Sequence, residues 1–188
     1  MEPLSDSIHG LERAGVMPDA VTVVGLGPIG LLTVAALRAR GYAHVVGIDP
    51  VDVRRTLATR LGAEAVFERI ADAPPDTPLV FECTGRPDLL QETTNLLAAG
   101  GVAVLLGVTM AEATVTPLVW VTREQSVIGS ISSSELDFRA AIGLLAARPE
   151  IASIITKRVT LAELPAAFDE LLSRPADGKI AVDPRAAR

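Results

Sequence analysis

Short apolar runs rich in β-branched residues alternate along the chain with longer stretches in which apolar residues recur at helical spacing. The runs are typical of strands buried in a parallel sheet, and the longer stretches are typical of helices that cover such a sheet. The predicted strands are 21–24, 45–48, 63–67, 79–81, 102–106 and 126–131. The predicted helices are 28–40, 50–61 and 87–98. This order predicts an α/β fold with a doubly wound parallel sheet and right-handed crossovers.

The pattern changes after about residue 131, where the chain no longer alternates in this way. The elements predicted there are helices over 135–148 and 161–173 and strands over 151–159 and 179–182. We therefore predict two parts, a parallel-sheet domain over 1–131 and a short C-terminal α/β appendage over 132–188.

Composition narrows the function classes. Hydrophobic residues make up 49% of the 188 residues and aromatic residues only 3%, so we expect an aliphatic core. The formal net charge of −6 argues against nucleic acid, whose binding needs a basic face, and against a surface drawn to anionic lipid. No apolar run reaches 18 residues, and the first residues lack the order of a signal peptide. We therefore expect a cytoplasmic protein without a membrane partner.

Metal chemistry has few candidate ligands in this sequence. Cys83 is the single cysteine, and His9 and His44 are the only histidines. An internal disulfide and a Cys-rich structural zinc site are thereby excluded, and a His-rich metal centre within one chain is disfavoured. We predict no metal site here, and we expect Cys83 and His9 to have structural roles.

The most informative segment is the turn Gly25-Leu-Gly27-Pro28-Ile-Gly30, which follows a predicted strand and opens a predicted helix. Gly25 permits the tight turn, Gly27 lets a pyrophosphate approach the backbone, and Gly30 lets the helix pack close to the sheet. Pro28 suits the first helical turn. The segment predicts a Rossmann-type site in which N–H groups at the helix start hold a diphosphate.

Asp49 stands at the end of the second predicted strand, 19 positions after Gly30. In this fold its carboxylate can accept hydrogen bonds from the adenosine ribose and would repel a 2′-phosphate, which favours NAD over NADP. Arg54 and Arg55 could weaken that preference by accepting a phosphate. Two alternatives stay open: a methyltransferase, although its usual turn is Gly-x-Gly-x-Gly, and a glycine turn that binds no dinucleotide, with Asp49 capping the next helix.

Motifs spread over nearly the whole chain resemble, in order, the C-terminal half of the zinc-type medium-chain dehydrogenases/reductases, the group of alcohol, sorbitol and threonine dehydrogenases. These motifs are Glu2-Pro-Leu-Ser5, Gly25-Leu-Gly-Pro-Ile-Gly-Leu-Leu32, Arg60-Leu-Gly-Ala63, Glu82-Cys-Thr-Gly85, Gly100-Gly-Val-Ala-Val-Leu-Leu-Gly107 and Asp177-Gly-Lys-Ile180. Together they are far more specific than the glycine turn alone.

The resemblance implies a role for each matching position. The pyrophosphate would lie along Gly25, Gly27, Pro28 and Ile29, the adenosine ribose against Asp49 and Arg54, and the nicotinamide against Gly107, Val108, Ser130 and Ser132. Thr84 follows a strand end where ligands of such sheets lie, and Lys179 matches a basic position near the pyrophosphate. Glu2 matches a position at or close to the catalytic zinc in the sorbitol dehydrogenase branch.

Relatives of this kind carry a GroES-like catalytic domain before the segment at which this sequence begins, and that domain supplies the zinc ligands. Glu2 alone cannot hold a catalytic zinc, so we expect no zinc in this chain by itself. A Tyr-x-x-x-Lys pair is also missing, because Val46 stands four positions after Tyr42, the only tyrosine.

In such relatives the catalytic domain covers the appendage and the mouth of the sheet. We therefore expect an exposed apolar surface on this chain, and a homodimer joined through the strand 126–131.

Two functional hypotheses follow. One is an NAD(H)-dependent oxidoreductase for secondary alcohols or polyols, completed by a longer chain or by a separate catalytic partner. The other is a stand-alone NAD(H)-binding module without dehydrogenase activity of its own, recruited to another reaction.

Overall fold

A computed structural model describes residues 1–174 and 176–185 of the chain. Its centre is a six-stranded parallel sheet with the strand order β3-β2-β1-β4-β5-β6. The strands are β1 (Ala20–Val24), β2 (His44–Ile48), β3 (Ala65–Phe67), β4 (Thr77–Glu82), β5 (Leu97–Leu105) and β6 (Ser126–Gly129). The chain builds outward from β1 to β3 and then returns to the other side of β1. The predicted doubly wound parallel sheet is confirmed, and its order reverses between β1 and β4.

Helices cover both faces of the sheet. They are α1 (Glu2–Ala14), α2 (Pro28–Ala39), α3 (Asp52–Arg60), α4 (Leu90–Asn95), α5 (Pro117–Thr122), α6 (Glu135–Ala147) and α7 (Leu164–Ser173). Short 3-10 turns occupy Ile70–Asp72, Pro87–Leu89 and Pro149–Ile154. A separate parallel pair, β7 (Ile155–Thr160) and β8 (Lys179–Asp183), follows α6. Among the described residues, no helix is both long and apolar enough to span a bilayer.

Successive residues of the central strands point to opposite faces, so the core has two layers. Val23 and Phe81 join the larger cluster, which α1, α2, α3 and α6 complete. Val24 and Val80 point the other way into a smaller cluster that contains Leu97. Both layers are almost purely aliphatic, as the low aromatic content predicts. Continuous apolar runs, rather than alternating ones, are required because each strand is buried on both sides.

The predicted helix over 87–98 is wrong at its C-terminal end, over residues 96–98. A 3-10 turn and α4 end at Asn95, and β5 already begins at Leu97. The pairing of β5 with β4 is irregular at its start, because Thr77 pairs with Leu97 and Leu79 with Val102. Four residues of β5 therefore lie opposite a single residue of β4. The intervening residues form a bulge, in which Gly100 adopts a φ of 72°.

Other element boundaries also differ from the sequence predictions, and one short helix was not predicted. The region 151–159 opens with a 3-10 turn, and its strand begins only at Ile155. The edge strand β6 ends at Gly129, two residues before the predicted end at Ile131. The short helix α5 has no counterpart among the predictions, because its six residues are too few to show a helical period.

Helix α1 carries the chain into the sheet and packs against α2 and α6. Its buried face contains Leu4, Ile8 and Leu11 at helical spacing. It ends at Gly15, whose left-handed backbone (φ 66°) is the usual way to close a helix.

A polar contact joins α1 to the start of α6. Ser134 caps α6 through a reciprocal pair of hydrogen bonds with Asp137, and the Nδ1 atom of His9 lies 3.0 Å from an Asp137 carboxylate oxygen. Burial by itself would raise the pKa of the Asp137 carboxyl. Hydrogen bonds from Ser134 and His9 outweigh burial and hold that pKa below its ordinary value.

Asp137→Asn should lower the free energy of unfolding at pH 7 by about 1–2 kcal/mol, because the buried cap loses its charged acceptor. Since the folded-state pKa of Asp137 is depressed, this stabilisation is complete above the unfolded pKa of about 4 and is lost as the pH falls from there through the lower folded-state pKa. Urea unfolding at pH 7 and pH 3 measures the difference. Glu135→Gln, at an exposed site on the same turn, is the control. A pH-independent deficit for Asp137→Asn would contradict the assignment.

Candidate functional site

The glycine turn lies at the carboxyl end of β1 and leads directly into α2. Gly25 has a φ of 89°, a left-handed conformation that disfavours any side chain. Gly27 caps α2 in extended conformation, and an alanine-like Cβ there would meet no atom within 4 Å. A Cβ on Gly30 would lie 1.8 Å from the carbonyl oxygen of Gly25. The turn therefore closes tightly on one side and faces open space on the other.

Asp49 ties β2 to this turn. Its carboxylate accepts hydrogen bonds of 2.8 Å from the backbone N–H groups of Leu26 and Val51. An Arg54 guanidinium nitrogen lies 3.3 Å from the same carboxylate. Only 3% of the residue is exposed. The acid predicted to recognise a ribose therefore lies at the mouth of the glycine turn and also supports the turn itself.

Arg54 and Arg55, which follow β2, both donate hydrogen bonds to oxygen atoms of the chain itself. Arg54 donates from Nε and Nη2 to the carbonyl oxygen of Ala176, at 3.0 and 2.6 Å. Arg55 donates to the carbonyl oxygen of Asp49 at 2.7 Å and pairs with Asp52. The segment before β8 is thereby anchored beside the Asp49 carboxylate.

Two cavities open at the carboxyl ends of the strands. The first, of about 650 Å³, we call the Asp49 cavity; its lining includes Gly25, Gly27, Pro28, Asp49, Arg54 and Thr84. The second, of about 310 Å³, we call the Ser130 cavity; its lining includes Ile29, Thr84, Gly107, Val108, Ser130 and Ser132. Cys83 and Thr84 line both cavities. The two cavities therefore adjoin where β4 ends, on either side of the reversal in strand order.

Three predicted site residues lie outside these two cavities. Gly30 is buried under the turn, as its packing role requires. Lys179 lines a neighbouring cavity of about 410 Å³ that shares Pro28 and Arg54 with the Asp49 cavity. Glu2 is exposed in the first turn of α1.

Glu82, a buried acid that was not among the predicted site residues, organises the loop after β4. Glu82 accepts hydrogen bonds from the backbone N–H groups of Thr84 (2.6 Å) and Gly85 (3.2 Å) and from the Thr84 hydroxyl. A Cβ on Gly107 would lie 2.4 Å from the Glu82 carboxylate. The Glu-Cys-Thr-Gly motif thus positions the wall shared by the two cavities.

The remaining singled-out residues have structural surroundings. Burial raises the pKa of the Cys83 thiol, which suits packing rather than nucleophilic chemistry. His9 pairs with Asp137, and His44 lies exposed beside Glu64. Among the described residues, no group of three or more His, Cys, Asp or Glu side chains is placed to hold a metal ion. The described residues therefore do not fit a zinc site.

Asp6 is a further residue that the sequence reading missed. It lies on α1, yet it lines the Ser130 cavity together with Ile29 of α2 and residues from the loops after β4, β5 and β6. The sequence contains no signal for this contact, since residues far apart along the chain make it.

Comparison with known proteins agrees with this arrangement. The family model described as glucose dehydrogenase C-terminus matches residues 3–177. D-xylulose reductase A from Aspergillus niger is 29% identical over 187 residues, covering 91% of this chain and 52% of the relative. Sorbitol dehydrogenase from Ovis aries is 32% identical, covering 90% and 51%. The chain spans about half the length of the curated relatives that it matches.

Solved structures show the same fold. A protein described as a zinc-binding dehydrogenase from Sinorhizobium meliloti, solved with NADP bound, superposes with a TM-score of 0.85 at 30% identity. The match covers 97% of this chain and 58% of that one. 2R,3R-butanediol dehydrogenase from Bacillus subtilis has a TM-score of 0.84 at 24% identity over 98% of this chain and 56% of that one, which supports the fold alone. The chain therefore belongs to the glucose dehydrogenase C-terminal family of the zinc-type medium-chain dehydrogenases/reductases.

Proposed function

We propose that the chain is the NAD(H)-binding part of a dehydrogenase that acts on a secondary alcohol or polyol. The observation that carries the proposal is the pair of cavities that adjoin at Thr84, with the glycine turn beside them. Dinucleotides bind across the crevice where the strand order of such sheets reverses, and these cavities flank that reversal. The curated relatives, a xylulose reductase and a sorbitol dehydrogenase, support the substrate class.

The Asp49 cavity suits the adenosine half and the diphosphate. Gly25 and Gly27 would bring backbone N–H groups to the diphosphate, and the start of α2 adds the positive end of its dipole. Asp49 would accept hydrogen bonds from the ribose hydroxyls, with Arg54 beside it. Open space around Gly27 is what the approach of a diphosphate to the backbone requires.

The Ser130 cavity suits the nicotinamide half. The Ser130 hydroxyl is buried, and the described residues offer it no hydrogen-bond partner. A carboxamide would satisfy it, and main-chain groups of Gly107, Val108 and Ser132 border the same space. When bound, the nicotinamide would supply hydride transfer, while this chain would supply binding and orientation.

NAD is the proposed cofactor rather than NADP. The charge of Asp49 opposes a 2′-phosphate, and both Arg54 and Arg55 already bind acceptors of the chain. The Sinorhizobium meliloti protein was solved with NADP, so the choice has to be measured on this chain.

The parts beyond the cofactor site extend the proposal. We take 1–131 as the cofactor domain and 132–188 as a segment that packs on a catalytic domain, supplied by a longer chain or a separate partner. Large apolar side chains exposed on α6 and α7, including Leu136 and Leu172, support such a covering partner. The outer edge of β6, within 126–131, would pair with a second copy in a homodimer. A cytoplasmic location stays a prediction.

Titration of the purified chain with NADH, followed by cofactor fluorescence, tests the proposal. We expect saturable binding that ADP-ribose competes away, and weaker binding of NADPH. Absence of binding by either reduced cofactor would overturn the proposal. An assay with polyols and added zinc then tests whether this chain is sufficient as a dehydrogenase, because binding without turnover would contradict that sufficiency.

A further inference from the structure

We propose that Asp6 makes the site select the oxidised over the reduced cofactor, by holding a negative charge against the nicotinamide ring. The inference rests on the proposed function, and it adds a residue that the motifs of the sequence do not mark. It concerns binding preference between two redox states of one cofactor, which is separate from the choice between NAD and NADP.

The position of Asp6 carries the first step. Asp6 lines the Ser130 cavity together with Thr84 and Ser130, in the half of the cleft on the β4 side of the strand reversal. The Asp49 carboxylate lies in the other cavity, on the β2 side. A dinucleotide whose ribose meets Asp49 has to place its second nucleotide in the half that contains Asp6.

Asp6 is also the one charged side chain among the described residues that line this cavity. The others are apolar, hydroxyl-bearing or glycine, apart from the Cys83 thiol, which burial keeps protonated by raising its pKa. Asp6 therefore carries the one carboxylate that borders this end of the cleft, whereas the nearby Glu82 carboxylate accepts hydrogen bonds from Thr84 and Gly85.

The Asp6 carboxylate is not occupied elsewhere. In the described part of the chain it makes no hydrogen bond or ion pair. The acids at Asp49, Glu82 and Asp137 all accept hydrogen bonds from backbone N–H groups or side chains. Asp6 thus presents an uncompensated charge to the cavity, whereas the other three serve the fold.

Its neighbours hold α1 in place. Ser5 and Ser7 are buried, and their hydroxyls contact the Ser133 hydroxyl at 2.8 Å and the Ile29 carbonyl oxygen at 3.3 Å. The second of these contacts reaches the glycine turn directly. The segment that carries Asp6 is consequently fixed relative to the turn that would hold the diphosphate.

The two redox states differ by one charge on the ring, since the oxidised nicotinamide is cationic and the reduced one is neutral. A carboxylate a few ångström away favours the cation by about threefold to tenfold in a partly hydrated site. Repulsion between Asp6 and the diphosphate is the same for both states, so it cancels from the ratio of their dissociation constants.

Asp6→Asn tests the inference, because it removes the charge and keeps the shape. Dissociation constants for NADH by fluorescence, and for NAD⁺ and ADP-ribose by displacement of NADH, are the readouts. We expect the dissociation constant for NADH divided by that for NAD⁺ to be about threefold to tenfold smaller in the variant than in the unaltered chain. Binding of ADP-ribose, which has no nicotinamide ring, should stay within about twofold of the unaltered chain.

Asp19→Asn is the matched control, since Asp19 is exposed just before the amino end of β1, at the opposite edge of the sheet. Raising the salt concentration should shift the ratio of the NADH and NAD⁺ dissociation constants of the unaltered chain toward the ratio found for Asp6→Asn. This measurement does not depend on the folding of a variant. Equal changes for NAD⁺ and NADH, or none, would overturn the inference while leaving the proposed function intact. Failure of the unaltered chain to bind any of the three ligands would overturn both.

Discussion

Gly30→Ala is expected to destabilise the chain by about 3 kcal/mol or more and to abolish dinucleotide binding. A Cβ at this position would lie 1.8 Å from the carbonyl oxygen of Gly25 and 2.8 Å from its carbonyl carbon. Both atoms are backbone, so no side-chain rotation can relieve the overlap. Helix α2 would have to move away from β1, and this movement would open the turn predicted to hold the diphosphate.

Gly143→Ala provides the matched control. Gly143 lies inside α6, and a Cβ there would meet no atom within 4 Å. The same substitution should therefore stabilise the chain by about 0.5–1 kcal/mol, through helix propensity alone. Urea unfolding of both variants measures the difference in sign. Similar unfolding midpoints for the two would show that α2 does not depend on the close contact at Gly30.

Asp49→Asn should weaken binding of NAD by about tenfold to a hundredfold and narrow the difference between NAD and NADP. The ribose hydroxyls would lose a charged acceptor, which costs both cofactors affinity. NADP would regain part of that loss, because the charge that repels its 2′-phosphate is gone. Dissociation constants for NADH and NADPH, measured by fluorescence, give the ratio directly.

The ratio of the NADH and NADPH dissociation constants separates two roles of Asp49, recognition of the ribose and support of the glycine turn. The carboxylate also accepts from Leu26 and Val51, so the variant should be less stable by about 1–3 kcal/mol. A purely structural role would lower the affinity for both cofactors by the same factor. Asp52→Asn, an exposed acid three residues away on α3, should change neither the affinity nor the ratio. Equal losses of NADH and NADPH in Asp49→Asn would contradict the ribose assignment.

The glycine turn and Asp49 could be predicted because their signals are local. The spacing of three glycines determines where a strand can turn into a helix, and an acid at the next strand end reaches the same edge of a parallel sheet. The structure brings Gly25 and Asp49 to one cavity, as that reasoning requires. The predicted sheet is correct for a similar reason, since long apolar runs can be buried only between two layers of helices.

Elements that depend on pairing with a neighbouring strand were predicted less well. The residues Leu96 and Leu97 continue a helical pattern, but the sheet uses Leu97 as the first residue of β5. The bulge that follows exists because β4 lies alongside and because Gly100 tolerates a positive φ. Tertiary pairing overrode local preference here, as it commonly does in short segments.

The sequence by itself determined the layered α/β fold, the turn at residues 25–30 and the acid beside it, because glycine spacing and apolar periodicity act over a few neighbouring residues. Only the tertiary structure decided that Glu82 supports the wall between the cavities and that Arg54 binds the Ala176 carbonyl. It alone decided that Asp6 faces the second cavity. These contacts join segments distant along the chain, and their geometry depends on how helices and loops pack around the sheet rather than on any local pattern.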